Sequence, residues 1–442
     1  MMAFSLKVYL SCWFLGAAVQ SAVFFSFNAV DYFNFFFPDD YKPEVYIGVT
    51  VGVGASLGAV LTVCFPPKKH NLRVLLATLI ISAVILIAEV LVTPLRHLMK
   101  DETRFGILLA LVFVATVVQN FGGGALYNFI GKHFPKYGVH AAQSGGVCAF
   151  AATFIVRCIS KGSFQHEKDV HRGFRLSGYM FVALVDLIIL VASCLTVLLR
   201  RHQREHNKIL NSFNRDTDQD NSENQPLLHS QGSSAIISRK TIIMENYGPL
   251  LTICLTLVIS NALFPGITSQ FHGKYNCSTS TTSKLNSSVL EDIHTPTPSV
   301  TSDKTGWFMV ILFGCFSVAD AIGKNLPIVA IIYNKRTVLF NLVVQLITAV
   351  PVLLIYFEPC VSQLQANWVA DVTVGLLGLV NGYGLCAAMM LLAPGNPGKK
   401  NEEGMATSIG FMFLQVGILF GMGISVFLVE YVFMIAMPSK KI

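Results

Sequence analysis

Asp320 and Lys324 are the residues of this chain whose types and spacing most demand an explanation. They stand four positions apart in the run WFMVILFGCFSVADAIGKNLPIVAIIY, Trp307 to Tyr333, which is long and apolar enough to cross a bilayer as one helix. At that spacing both side chains leave the same helical face, the acid N-terminal to the base, so each can neutralise the other. A lone charge at the bilayer centre costs about 2.5–3.5 kcal/mol even on mild insertion scales, so such groups are kept where they meet protein, a water-filled cavity or a passing solute. Either the pair only locks two helices together, or it lines a route for a solute. Small residues would lock helices at lower desolvation cost, which favours the second reading.

Other polar side chains interrupt the apolar runs. The first run holds Asn28, with Asp31 three residues on; the fourth holds Gln119 and Asn120 before Gly122, Gly123 and Gly124. The fifth carries Gln143, then Ser144-Gly145-Gly146, and Arg157 toward its outer end. In the seventh, Asn261 precedes Phe264-Pro265-Gly266, a sequence that breaks helices. The tenth has Asn381-Gly382-Tyr383, and Glu89 and Asp186 lie inside the third and sixth. Read singly, Asn261, Glu89 and Asp186 are contacts between helices, and Asn381 and Arg157 are structural polar groups; such bonds average only about 0.6 kcal/mol in membrane proteins. Gln119, Asp320 and Lys324 together differ. They supply donors and acceptors suited to a small neutral solute with ring nitrogens and hydroxyls, and Phe27, Phe33 and Phe121 offer faces for a planar ring.

The elements that must position these groups are membrane helices. Charged residues make up 13% of the 442, half the roughly 25% of an ordinary soluble chain. Apolar runs of about 20 residues begin near Lys7, Val45, Arg73, Phe105, Tyr137, Leu176, Tyr247, Trp307, Thr337, Trp368 and Met405, which predicts an all-α polytopic membrane protein of eleven spans. A polar segment at 200–246 divides it into a six-helix bundle over 1–199 and a five-helix bundle over 247–442. Its middle, SFNRDTDQDNSENQPLLHSQGSS, has little to bury and is expected to be a disordered linker. Within it, Glu223, Leu227 and Leu228 have the form of an acidic dileucine sorting signal that an adaptor would read. The first run, with Ser21 and Ala22, has features of a secretory signal, but it continues apolar to Phe37, which favours a span.

Placing the N-terminus inside puts Lys132, Lys136, Arg200, Arg201, Lys335, Arg336, Lys399 and Lys400 on the cytoplasmic side, against Arg96, Lys100, Lys161 and Arg172 outside. The sequons at Asn276 and Asn286 then fall in the long outer loop 271–304. Cys277 and Cys360 would share that oxidising side, where a disulfide between them is one option. The ten Cys otherwise lie singly with no metal-ligand spacing, the net charge of +7 forms no stripe suited to nucleic acid, and no Ser/His/Asp constellation or GxxxxGK[ST] is present. Neither a metal, a cofactor nor an enzyme activity is expected.

At these motifs the chain resembles the equilibrative nucleoside transporter family over nearly its whole length. The family's eighth-span D-x-x-G-R is similar to Asp320-Ala-Ile-Gly323-Lys324, its tenth-span N-G-Y to Asn381-Gly382-Tyr383, its seventh-span F-P-G to Phe264-Pro265-Gly266, its fifth-span Ser/Gly run to GVHAAQSGGVCAF, and its first-span W-N to Phe27-Asn28. The resemblance implies transport of nucleosides, with nucleobases in some members, by alternating access between the bundles, passive or in some branches proton-linked. It implies Asp320, Lys324, Gln119 and Asn28 as substrate-binding residues, with Gln119 or its neighbour Asn120 reading the base. A transporter of another polar solute, such as a sugar or an organic cation, is the alternative. Two departures stand out: Lys324 replaces a planar fork with a compact ammonium, and Phe27 replaces an indole donor. Both weaken contact with ribose and so point to acceptance of free bases. The plasma membrane is the expected location, an endosomal or lysosomal membrane the alternative.

In a glycosylating host, Asn276→Gln and Asn286→Gln are each expected to raise electrophoretic mobility by one glycan step, and glycosidase treatment to abolish the difference. An unglycosylated 271–304 loop would reverse the assigned orientation.

Overall fold

A computed structural model describes residues 6–38, 41, 43–67, 71–95, 98–164, 167–220, 238–268, 271, 275–276, 299–300, 307–357, 367–396 and 399–428. Its helices are α1 (Leu6–Asn28), α2 (Val30–Phe36), α3 (Pro43–Cys64), α4 (Asn71–Val92), α5 (Asp101–His133), α6 (Tyr137–Phe164), α7 (Val170–Asp220), α8 (Arg239–Glu245), α9 (Tyr247–Asn261), α10 (Trp307–Asn325), α11 (Phe340–Phe357), α12 (Asn367–Leu392) and α13 (Lys400–Phe427). Eleven of these, all but the short α2 and α8, are long and apolar enough to span a membrane. Hydrocarbon offers no partner to backbone N–H and C=O groups, and a helix satisfies them within itself. Two short strands, β1 (Tyr275–Asn276) and β2 (Ser299–Val300), pair antiparallel in the long loop.

The lipid-facing sides show helical periodicity. Ile80, Val84, Ile87 and Leu91 of α4, and Val343, Ile347, Val350 and Leu354 of α11, are exposed at spacings of three and four. Inside, helices approach through small residues. A Cβ at Gly16 of α1 would strike the Ala142 backbone of α6, and one at Gly145 of α6 would strike the carbonyl of Trp13. The same device joins α10 to α12, where Gly323 abuts the Leu379 carbonyl and Gly378 and Gly382 abut the backbone of α10 from Phe316 to Lys324. Such contacts replace the hydrophobic drive that is missing between helices already in lipid.

The spans group as six and five, α1 with α3–α7 and α9–α13, and side-chain hydrogen bonds cross between the groups. Ser56 Oγ of α3 donates to the Gln415 carbonyl of α13 (2.9 Å), Thr407 Oγ1 of α13 to the Tyr127 carbonyl of α5 (2.8 Å), and Ser144 Oγ of α6 to Asn325 Oδ1 of α10 (2.8 Å). One apolar core runs through the six-helix bundle and on into Ile253, Leu385, Met389, Ile409 and Phe411 of the other. These lie toward the end where α1 begins, the cytoplasmic end on the charge reading. Toward the opposite end the five-helix bundle has its own core around Phe264, Leu312, Phe316, Val352 and Leu377.

Three expectations need correction. The run expected to continue as a helix to Tyr333 leaves the α-helix at Asn325, passing into a 3-10 turn at Leu326–Ile328; Pro327 lacks an N–H to give and disfavours helical geometry in the residue before it. The segment expected to begin a disordered linker at 200 is instead the continuation of α7 to Asp220, and α8 lies within its far end. The sequence from Arg200 to Asp220 holds no Gly or Pro to stop a helix. Asp31 is not inside the first span; the chain breaks at Ala29 and Asp31 opens α2. Glu223, Leu227, Leu228, Cys277, Asn286 and Cys360 lie outside the described residues.

Gly16→Val and Gly145→Val are expected to destabilise the folded protein by about 1–3 kcal/mol each through overpacking. Gly162→Ala, where nothing lies within 4 Å of the added methyl, is expected to be neutral or to stabilise by up to ~1 kcal/mol. Thermal unfolding in detergent reads the difference.

Candidate functional site

Because α10 ends at Asn325, Lys324 occupies its last turn, where the negative end of the helix dipole favours a cation. Its Nζ lies 3.0 Å from Asp320 Oδ2, and both residues are buried, at 9% and 4% exposure. The second carboxylate oxygen is also engaged: Asn381 Nδ2 of α12 donates to Asp320 Oδ1 (2.8 Å). Asn381 Oδ1 accepts from Ser260 Oγ of α9 (2.8 Å), and that hydroxyl accepts from Gln345 Nε2 of α11 (2.8 Å). Five side chains on four helices therefore form one line of donors and acceptors ending in an ammonium. A buried ion pair persists only where the remaining lone pairs are met in this way.

The motifs around the pair have separate tasks. In Asn381-Gly382-Tyr383 the amide holds Asp320, the glycine admits the α10 backbone, and the Tyr383 hydroxyl donates to the Ala330 carbonyl (3.2 Å) while accepting from the Ile332 N–H (2.9 Å). Tyr383 thus secures the stretch that follows α10. Phe264-Pro265-Gly266 breaks α9 as expected: residues Ala262–Ile267 wind as a π-type turn with Phe264 extended (φ −121°, ψ 128°). The break lays the Phe264 ring flat on Phe316, one turn before Asp320, with centroids 4.0 Å apart.

The site faces the other bundle through α6. Asn325 accepts from Ser144, the His140 ring meets the backbone of Lys324 and Asn325, and Cys148 lies within electrostatic reach of Lys324 and Asp320. The Tyr9 hydroxyl shares a hydrogen bond with His140 Nδ1 at 2.9 Å. A crevice of about 580 Å3 lies along the same helix pair, lined by Ala151, Val318, Ala321, Ile322, Asn325 and Leu326. It is apolar, and Val318 and Ile322 are half exposed on its wall, so it opens to hydrocarbon and not toward the ion pair.

The remaining expected residues sit elsewhere. Gln119 gives its Nε2 to the Ala18 carbonyl (2.8 Å), tying α5 to α1. Asn28, at the last position of α1, donates to Thr153 Oγ1 of α6 (2.9 Å). Neither is brought to Asp320 or Lys324; both hold the six-helix bundle together. At Arg157, Nε lies 2.9 Å from Asp31 Oδ1 and Nη2 2.9 Å from Asp31 Oδ2, and Nη1 donates to Ser177 Oγ (2.7 Å). Phe33 is wholly buried edge-on to Tyr32 and cannot cover a solute. Asn261 bonds its own helix at Leu257 (2.9 Å), and both Glu89 oxygens, facing Asp186, are buried without a hydrogen-bond partner among the described residues. Ser260 and Gln345 were missed, and Ser144, noted beside Gly145-Gly146, was given no role. Gln345 is a lone amide in the apolar run FNLVVQLITAV, a signal of the kind that singled out Asn381.

A family model described as nucleoside transporter matches residues 109–430 of the 442. The chain belongs to the nucleoside transporter family. Among proteins similar to this nucleoside transporter family member, equilibrative nucleotide transporter 1 of Arabidopsis thaliana is 22% identical over 408 residues, covering 89% of this chain and 80% of that protein. Of solved structures, the major facilitator proton:xylose symporter XylE bound to 6-bromo-6-deoxy-D-glucose matches with a TM-score of 0.60 at 9% identity, covering 97% of this chain and 88% of that one. A bacterial homologue of the iron transporter ferroportin in its outward-facing state matches at 0.55 and 13%, covering 96% and 92%. At such identities the two structures speak for the fold alone.

Lys324→Met, which leaves the Asp320 charge buried and unmatched, is expected to destabilise this nucleoside transporter family member by about 3–5 kcal/mol. Adding Asp320→Asn is expected to recover most of the loss. Thermal unfolding of the single and double variants checks the coupling.

Proposed function

We propose that the protein carries nucleosides, and free nucleobases beside them, across its membrane by facilitated alternating access. The observation that carries the reading is the Asp320–Lys324 pair, held from four helices of one bundle and set against α6 of the other. A solute bound there touches both bundles, as rocking transport requires. Asp320 and Lys324 contact the solute, and Asn381 keeps Asp320 in place. The shared core at the cytoplasmic end and the separate outer core of the five-helix bundle support a conformation closed toward the cytoplasm.

Charge favours a nucleoside over a nucleotide. The Asp320–Lys324 pair is neutral in sum, whereas a phosphate group would bring uncompensated negative charge into a low-dielectric site. The name of the Arabidopsis relative supports the equilibrative mode. So does the engagement of both Asp320 oxygens, by Lys324 and Asn381. An ammonium in place of a guanidinium gives up bidentate contact with the ribose hydroxyls, which is the ground for admitting bases. The plasma membrane is the proposed site of action, with Glu223, Leu227 and Leu228 read by a sorting adaptor during trafficking.

Flux of radiolabelled uridine, adenosine, hypoxanthine and AMP into proteoliposomes tests this. Uridine, adenosine and hypoxanthine are expected to enter, AMP to be excluded, rates to stay level between external pH 6 and 8, and Asp320→Asn or Lys324→Ala to cut flux at least tenfold. Lys324→Arg is expected to favour ribonucleosides over bases. Entry of AMP ahead of uridine, a requirement for a pH gradient, or full flux in Asp320→Asn would refute it.

A further inference from the structure

Helix α1 is enclosed on almost every side. From Leu15 to Ser26 each residue is buried except Gln20 and Phe24, and with Trp13 and Phe27 these form one partly open stripe at spacings of seven, four and three. That spacing is a single helical face. Faces turned to lipid, as on α4 and α11, show exposed side chains; this stripe shows none, so it opens on the interior of the protein.

Gln20 is the one amide on the stripe and sits near the middle of α1. Among the described residues its side chain makes no hydrogen bond, although mid-membrane amides elsewhere in the chain, such as Gln119 and Asn381, are bonded to a neighbouring helix. An unpaired primary amide at this depth is costly unless it meets water or a solute. Room for it comes from α6: a Cβ at Gly146 would stand 3.2 Å from Gln20 Cγ. One turn further, Phe24 stacks on Phe150 of α6 (centroids 4.6 Å, 26° between planes), and Phe150 in turn packs on the outer core of the five-helix bundle. The free amide and the aromatic pair therefore border the seam between the bundles, flanking the same helix, α6, that Lys324 faces.

We propose that Gln20 reads the base of the transported nucleoside, its amide giving one donor and one acceptor to the base edge while Phe24 supplies an aromatic face. The assignment rests on the nucleoside reading above and adds a recognition residue from the six-helix bundle. Gln119, whose Nε2 is committed to the Ala18 carbonyl, is thereby replaced as the reader. An amide suits the task because it can rotate to meet either order of donor and acceptor, so amino-bearing and carbonyl-bearing bases are both accepted.

The test compares uridine with 3-methyluridine, whose base edge has lost its donor, in proteoliposomes. Wild type is expected to show a KM for 3-methyluridine at least about tenfold above that for uridine. Gln20→Met is expected to raise the uridine KM about tenfold at a nearly unchanged maximal rate and to leave 3-methyluridine unaffected, so that the gap closes. Gln20→Asn, with its amide one carbon short, is expected to close it in part and serves if the Met variant does not fold. Gln20→Cys is expected to react with a small charged thiosulfonate reagent in the aqueous phase, and uridine to slow that reaction. An unchanged gap in Gln20→Met or Gln20→Asn, a loss of maximal rate at constant KM, or an inert Gln20→Cys overturns the proposal. Wild type that carries no nucleoside overturns the underlying reading instead.

Discussion

Within hydrocarbon every polar group must find its partner inside the protein, and that requirement accounts for most of what is specific in this chain. Asp320 is the clearest case. Its two oxygens take one donor from Lys324 and one from Asn381, and Asn381 in turn depends on Ser260 and Gln345. Removing any member leaves the next unmatched in a medium where the penalty is several kcal/mol per ion. The position of α10 against α9, α11 and α12 is consequently fixed by hydrogen bonding as much as by shape. The break at Phe264 and the glycines of α12 bring those helices near enough for the bonds to form.

The six-helix bundle meets the same requirement differently. Arg157 and Asp31 close the end away from the start of α1 with a bidentate contact, Arg104 gives its guanidinium to the Thr93 and Phe36 carbonyls and to Asp101, and Gln119 and Asn28 each stitch α1 to a neighbour. These groups sit in one bundle and turn inward upon it. The Asp320 network also belongs to one bundle, but its cationic end lies where α6 of the other approaches. A charged group of one bundle that faces a helix of the other is what the alternating access proposed above would use.

Much of this was legible in the sequence. Charge depletion and apolar runs gave the eleven helices, because a membrane span is a matter of length and composition. Asp320 with Lys324, Phe264-Pro265-Gly266 and Asn381-Gly382-Tyr383 stood out as breaks in that pattern, and each proved to meet α10 or belong to it. What could not be read was direction. Gln20 and Gln119 are both amides inside apolar helices, and only packing shows that Gln119 gives its Nε2 to a backbone carbonyl while Gln20 is left half-buried. The end of α10 was concealed because the residues after Asn325 remain apolar, so hydropathy continued where Pro327 had already stopped the helix.

Under the alternating access proposed above, the apolar core that both bundles share at the end where α1 begins has a thermal consequence. To admit solvent from that side, the two halves must uncover side chains such as Ile253, Met389, Ile409 and Phe411, and wetting apolar surface raises heat capacity. The balance between the two facing states is then curved in temperature instead of following a straight van't Hoff line. Cooling weakens the grip of that seam by lessening the hydrophobic contribution.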